Sequence, residues 1–210
     1  MQQRSIFISF EGSEGCGKST QIRRLAARLE TLSRPVTLVR EPGGTPIGEE
    51  IRQLLQFSKI NKAMTAEAEL LLFTASRAQL VRERIEPALR TGSIVIADRF
   101  LDSTTVYQGV ARRIDAAVVK FVNDFAVADC RPNLTFLLDL DPGRARERML
   151  SQPRTPDRME QQPVEFYEAV RNGYLTLAEH ETSRVCVIDA SRTAEEIEQE
   201  IWRHLQPLLG

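Results

Sequence analysis

Five short apolar runs, set among segments with helical spacing, predict an α/β fold in this 210-residue chain: a five-stranded parallel sheet with helices on both faces. Two further observations support it. A glycine-rich turn near the N-terminus joins a strand pattern to a helix pattern, and no internal repeat or low-complexity linker divides the chain. Residues 1–210 therefore read as one domain.

The first strand is expected at residues 5–11, where Ile6, Phe7, Ile8 and Phe10 make a mostly buried run. Beyond the glycine turn, Ile22, Leu25, Ala26, Leu29 and Leu32 recur at helical spacing. PVTLVRE (35–41) is a second strand. PGGTPIG turns into a helix carrying Ile47, Ile51, Leu54 and Leu55 on one face. A long helical run spans about 65–91 and stops at Gly92. SIVIAD (93–98), LTFLLDL (134–140) and RVCVID (184–189) supply the remaining strands. The last helix opens on a capping box, Thr193 and Glu196, and turns Ile197, Ile201, Leu205 and Leu208 inward. One segment, residues 146–163, is rich in proline and arginine and has no apolar face, so it reads as a loose lid.

Composition narrows the function. Hydrophobic residues make up 42% and charged residues 27%, with a formal net charge of −1, which is ordinary for a soluble globular protein. A near-neutral chain lacks the uncompensated cations that a nucleic-acid polymer requires, so any basic site is local. No apolar run approaches the ~20 residues of a membrane span, and the N-terminus lacks the apolar core of a signal peptide. Cys16, Cys130 and Cys186 are an odd set without metal-ligand spacing, which suits a reducing compartment; a cytoplasmic protein is expected.

The turn itself, FEGSEGCGKST (10–20), carries the chemistry. Gly12, Gly17, Lys18 and Ser19 match G-x-x-x-x-G-K-[ST] between a strand and a helix. Glycines let successive N–H groups curl around an anion, and the helix N-terminus adds roughly half a positive charge. Gly12, Ser13, Glu14, Gly15, Cys16, Gly17, Lys18, Ser19 and Thr20 thus form a candidate ATP cradle, with Lys18 toward the outer phosphates and Ser19 on a bridging Mg²⁺. Cys16 sits where a thiol pKa is open to lowering, although filling a loop position is the simpler role.

A cradle does not choose an acceptor. SIVIAD ends in Asp98 and Arg99, and in a parallel sheet the carboxyl ends of strands open onto the ligand crevice. Asp98 is a second candidate metal ligand, while Arg99 and Arg52 are candidates for gripping a second anion. An acceptor that is itself a phosphate needs arginine to cancel the repulsion between two anions. Arg154 and Arg158 in the loose segment are candidates to close over the transferring group. On the long helix Phe73 and Arg77 are four residues apart and share a face, able to stack a base and hydrogen-bond its carbonyl. Thr104, Tyr107 and Gln108 follow the Asp98 strand. A guanine-binding switch is disfavoured, because Asn61-Lys62-Ala63-Met64 lacks the final aspartate of N-K-x-D; a kinase of another monophosphate or of a deoxynucleoside stays open.

Together the segments FEGSEGCGKST, REPGGTPIGEEIR (40–52), LLFTASRAQLV (71–81), DRFLDSTTVYQG (98–109) and PRTPDRMEQ (153–161) resemble the thymidylate kinase family from first strand to last helix. The resemblance implies a P-loop nucleoside monophosphate kinase-like fold, transfer of the γ-phosphate of ATP to dTMP, Mg²⁺ dependence and a homodimer. It also implies that Phe73 stacks on thymine, Arg77 bonds its carbonyl and Arg99 binds the dTMP phosphate. Tyr107 would crowd the 2′ position, Glu14 would approach the 3′-hydroxyl, and Thr104 and Gln108 would line the base pocket. No arginine stands inside the phosphate loop, which is similar to the bacterial type that places catalytic arginines in the lid. Cys16 and Val106 depart from the alanines common at those positions.

Overall fold

A computed structural model describes residues 5–58, 61, 63–150, 158–159 and 161–209. Its centre is a parallel sheet of β1 (Ile6–Glu11), β2 (Val36–Arg40), β3 (Ile94–Asp98), β4 (Leu134–Asp139) and β5 (Val185–Asp189), in the spatial order β2-β3-β1-β4-β5. The order reverses at β1, so the crevice at its carboxyl end is where an open α/β sheet accepts ligand. The glycine turn leaves the sheet at that point.

Alternate residues of each strand point to opposite faces, and the two faces have different covers. Ile6, Ile8, Phe10, Ile94, Ile96, Phe136 and Leu138 pack under α1 (Lys18–Thr31) and α9 (Ala194–Leu209) through Ile22, Leu25, Leu29, Ile197, Ile201 and Leu205. Phe7, Val39, Val95 and Ala97 pack under Leu80, Val81 and Ile85, together with Ala126 and Val127 of α6 (Ala116–Val127). Those first three belong to one continuous helical stretch, 66–90, made of α3 (Ala66–Leu80), a π-helical turn and α4 (Glu86–Arg90). Each fully buried Val, Leu, Ile or Phe among them contributes about 1.5–3 kcal/mol by leaving water.

The expected strands agree with the structure to within a residue or two at their ends. α2 (Pro46–Arg52) continues into a π-helical stretch, Gln53–Phe57; its face differs from expectation, since Leu55 is fully buried but Ile47 is exposed. Residues 102–109 lie in a helical segment made of α5 (Leu101–Thr104) and the π-helical Thr105–Ala111. Residues 146–150, expected in the loose segment, instead belong to α7 (Pro142–Leu150), whose Ala145 is buried against the sheet. The chain returns in α8 (Val164–His180). No described helix is long and apolar enough to cross a membrane.

Candidate active site

The turn between β1 and α1 forms the floor of a cleft of about 730 Å³ lined by Glu14, Gly15, Cys16, Gly17, Lys18, Ser19 and Thr20, with Arg52, Asp98 and Arg99 on its walls. α1 starts after Gly17 (φ 99°) with no side-chain cap and no acidic residue in its first turn. α2, α3 and α6 begin differently, on Thr45, Thr65 and Asp115, each of which accepts a backbone N–H. An uncapped helix start leaves donors available to an anion. Lys18 is buried and folds over the loop, donating from Nζ to Gly12 O (3.1 Å) and Ser13 O (2.8 Å). Gly12 and Ser13 are buried and do not line the cleft. Cys16 is buried with its sulfur 3.7 Å from Lys18 Nζ.

Ser19 Oγ donates to Asp98 Oδ2 at 3.1 Å across the mouth of this cleft. The two are hard oxygen donors, a set that suits a small divalent cation. Among the described residues no group of three His, Cys, Asp or Glu is clustered to hold a metal, so such an ion would draw its remaining ligands from phosphate oxygens and water.

A second, smaller pocket adjoins the cleft, and Glu14, Glu41, Gln56 and Arg99 line both. Its other walls include Phe73 and Arg77 of α3 and Thr104, Tyr107 and Gln108 of the helical segment 101–111. Arg99 has a left-handed backbone (φ 70°), a conformation that costs a non-glycine residue of order 1–3 kcal/mol and clusters at functional sites. Its Nη2 donates to Glu14 Oε1 (2.7 Å), and its guanidinium carbon lies 5.1 Å from the Tyr107 ring. The Tyr107 hydroxyl donates to Glu14 Oε2 at 2.9 Å. Burial pushes the Glu14 carboxyl up, yet Arg99 and Lys18 more than offset it, leaving Glu14 below the usual carboxylate range. Burial holds the Tyr107 phenol well above its ordinary value, so it remains a donor.

Arg77 is deeper than its helical spacing implies. It is fully buried, donating to the Glu41 carboxylate, to Asn123 Oδ1 (2.8 Å) and to Phe100 O (3.2 Å). These bonds fix the plane of its guanidinium at the pocket wall. Thr104 Oγ1 is buried without a hydrogen-bond partner, and so is Gln56 Oε1; both residues line this pocket. Gln108 Nε2 donates to Glu69 Oε1 at 2.8 Å. Arg52 Nη1 donates to Pro42 O at 3.0 Å.

Arg158 is not gathered at the cradle. Arg158 donates to Leu55 O (3.0 Å) and to the buried Glu69 carboxylate, beside a separate surface pocket shared with Arg112. Arg154 lies outside the described residues. Glu41, Glu69 and Gln56 escape sequence reasoning: a carboxylate on a strand end or helix looks solvated until its buried arginine partner is known.

Fold and site define a P-loop phosphotransferase of the nucleoside monophosphate kinase-like class. A family model described as "Thymidylate kinase" matches residues 10–201. Thymidylate kinases from Syntrophotalea carbinolica and Fervidobacterium nodosum are each 49% identical, covering 94% of both chains in the first case and 93% of this chain and 96% of the relative in the second. The crystal structure of thymidylate kinase from Ehrlichia chaffeensis superposes with a TM-score of 0.77 at 34% identity, covering 96% of this chain and 98% of that one. The chain belongs to the thymidylate kinase family.

Proposed function

We propose that this chain transfers the γ-phosphoryl group of ATP to dTMP, giving ADP and dTDP. The observation that carries the reading is the joint between cleft and pocket: Arg99 stands where the uncapped phosphate cradle meets a chamber lined by Phe73, Arg77, Thr104, Tyr107 and Gln108. Family membership supports the same substrates.

In this reading Gly12 to Thr20 hold ATP, and Lys18 leaves its two loop carbonyls to reach the β- and γ-phosphates. Arg99 cancels the charge of the acceptor phosphate, so two anions meet in line; positioning and charge compensation carry most of the catalysis. Phe73 stacks on the base while Arg77 and Gln108 face its polar edge. Thr104 Oγ1, unpartnered in the pocket wall, gains a partner when substrate enters. Tyr107 and Glu14 face the sugar. Ser19 and Asp98 hold Mg²⁺, which supplies charge neutralisation between the phosphates when bound. The segment 146–163 acts as a lid: Arg158 leaves Glu69, and with Arg154 closes over the phosphoryl group and excludes water.

A homodimer is the assembly this reading favours. Phe121 and Phe125 of α6 are one turn apart and 71% and 79% exposed, with Val118 on the same side, an apolar face that a second copy would cover. The free cysteines support a reducing, cytoplasmic setting.

The test is ADP release with ATP, Mg²⁺ and a panel of dTMP, dUMP, UMP, CMP, AMP and thymidine. Preference for dTMP is expected. Turnover unchanged by dTMP, or use of bare thymidine in its place, would overturn the proposal.

A further inference from the structure

We propose that Glu11, acting through the hydroxyls of Ser103 and Tyr174, is a positioning residue that sets the guanidinium of Arg99 for the acceptor phosphate. The inference rests on the reading of Arg99 given above and extends it to Glu11 and Tyr174, which line neither the cleft nor the adjoining pocket, through Ser103, which lines the pocket.

Glu11 is the last residue of β1, fully buried, and lines neither the cleft nor the adjoining pocket. Its carboxylate accepts from Phe100 N at Oε1 (2.8 Å), and from Ser103 Oγ (2.6 Å) and the Tyr174 hydroxyl (2.7 Å) at Oε2. A hydroxyl has one proton to donate and two lone pairs. With both protons drawn to the carboxylate, the lone pairs of Ser103 and Tyr174 are left to Arg99, whose Nη1 donates to them at 3.2 and 3.3 Å. The two oxygens are 2.9 Å apart, close enough to bond each other instead. Above about pH 7, where Glu11 is ionised, its negative charge decides between the two arrangements, because a bond to an ionised acceptor is roughly twice as strong.

Glu11 also holds the backbone. Arg99 is in the left-handed region, and the flanking amides are fixed by β1: Arg99 N donates to Phe10 O and Phe100 N to Glu11. The side chain and main chain of Arg99 are therefore steadied from one carboxylate, while Glu14 holds the opposite guanidinium nitrogen from inside the site. Tyr174 brings in α8, the helix that follows the lid segment, so the acceptor clamp is tied to the chain leaving the lid. A carboxylate this deep costs folding free energy unless its bonds repay it. Packing alone would be served as well by glutamine.

The experiment is steady-state kinetics at about pH 8, where Glu11 is ionised, with each substrate varied in turn, on Tyr174→Phe, Glu11→Gln and Arg99→Ala, with thermal melting of each. Loss of one charge-assisted bond corresponds to about tenfold in affinity. Tyr174→Phe and Glu11→Gln are therefore expected to raise KM for dTMP by about five- to tenfold, with KM for ATP changed less than about twofold. Tyr174→Phe keeps the ring and carries the test if Glu11→Gln does not fold. An unchanged KM for dTMP in Tyr174→Phe, or equal rises for both substrates, overturns the positioning role while a strong effect of Arg99→Ala leaves the function standing. Normal dTMP kinetics in Arg99→Ala removes the function of Arg99, and this inference with it.

Discussion

Gly12 shows how tightly a single residue is constrained at the mouth of the sheet. Its φ of 128° belongs to glycine, and a Cβ there would meet Leu138 O at 2.5 Å, a backbone atom of β4 that has no room to yield. Gly15 faces a similar barrier at Ala145 O of α7, also 2.5 Å, so the cradle is pressed between two elements. Gly12→Ala is expected to destabilise the fold by about 1–3 kcal/mol or more, from backbone strain and close contact together. Urea unfolding measures it, and a variant as stable as the parent would contradict the geometry. The glycines and Lys18 are legible in the sequence, because a phosphate loop needs these residue types at fixed spacing. Glu11 is not. Nothing in IFISFE distinguishes a carboxylate that ends a strand in water from one that serves three donors in the interior.

At the level of elements, α1 and α9 begin differently. α9 begins with the reciprocal box expected from Thr193 and Glu196: Thr193 N donates to Glu196 Oε2 (2.9 Å), and Glu196 N to Thr193 Oγ1 (3.3 Å). α1 has no such closure, which leaves its first donors open to an anion. Thr193→Ala should then cost about 1 kcal/mol of stability, the usual worth of a side-chain cap, without altering KM for either substrate. A loss of ATP affinity would mean that the cap also positions Ala194 and Ile197, which line the cleft. The five strands and the first and last helices were accessible from the sequence through apolar period and, for the last helix, its cap. α6 and α8 were not. In α6 the buried positions include Asn123, turned inward to serve Arg77 and Leu101 O, whereas Phe121 and Phe125 face outward. This inversion erases the amphipathic stripe that would reveal a helix. α3, expected within the long helical run at about 65–91, also buries polar residues, Glu69, Thr74, Ser76 and Arg77. Polar groups that build a site blur the pattern that announces the element.

For the whole molecule, two properties follow from what lies outside and inside the sheet's covers. Outside, the Phe121–Phe125 face is expected to join two copies; Phe121→Asp with Phe125→Asp should halve the mass seen by sedimentation, and a parent chain already monomeric at micromolar concentration would refute the dimer. Inside, stability depends on pH through carboxylates shifted in opposite directions. Glu14 and Glu69 lie below the ordinary carboxylate value despite burial, Glu14 through Arg99 and Lys18, and Glu69 through Gln108, Arg112 and Arg158. Their contribution is present above that value and is lost as pH falls through the folded pKa. Glu11 runs the other way. Burial, reinforced by Asp102, raises it from 4.5 to about 7 against the pull of Arg99, Ser103 and Tyr174. Between those values the folded chain keeps a proton that the unfolded chain has released, so stability falls as pH rises and the loss is complete above about pH 7. Glu11→Gln removes this term alone. The stability of the variant relative to the parent should therefore rise between pH 5 and pH 8, by on the order of 2–3 kcal/mol. Any constant cost of the lost hydrogen bonds cancels in that comparison. Urea unfolding of both proteins at the two pH values reads the difference, and a gap independent of pH would mean that Glu11 is ionised in the folded chain across the whole range.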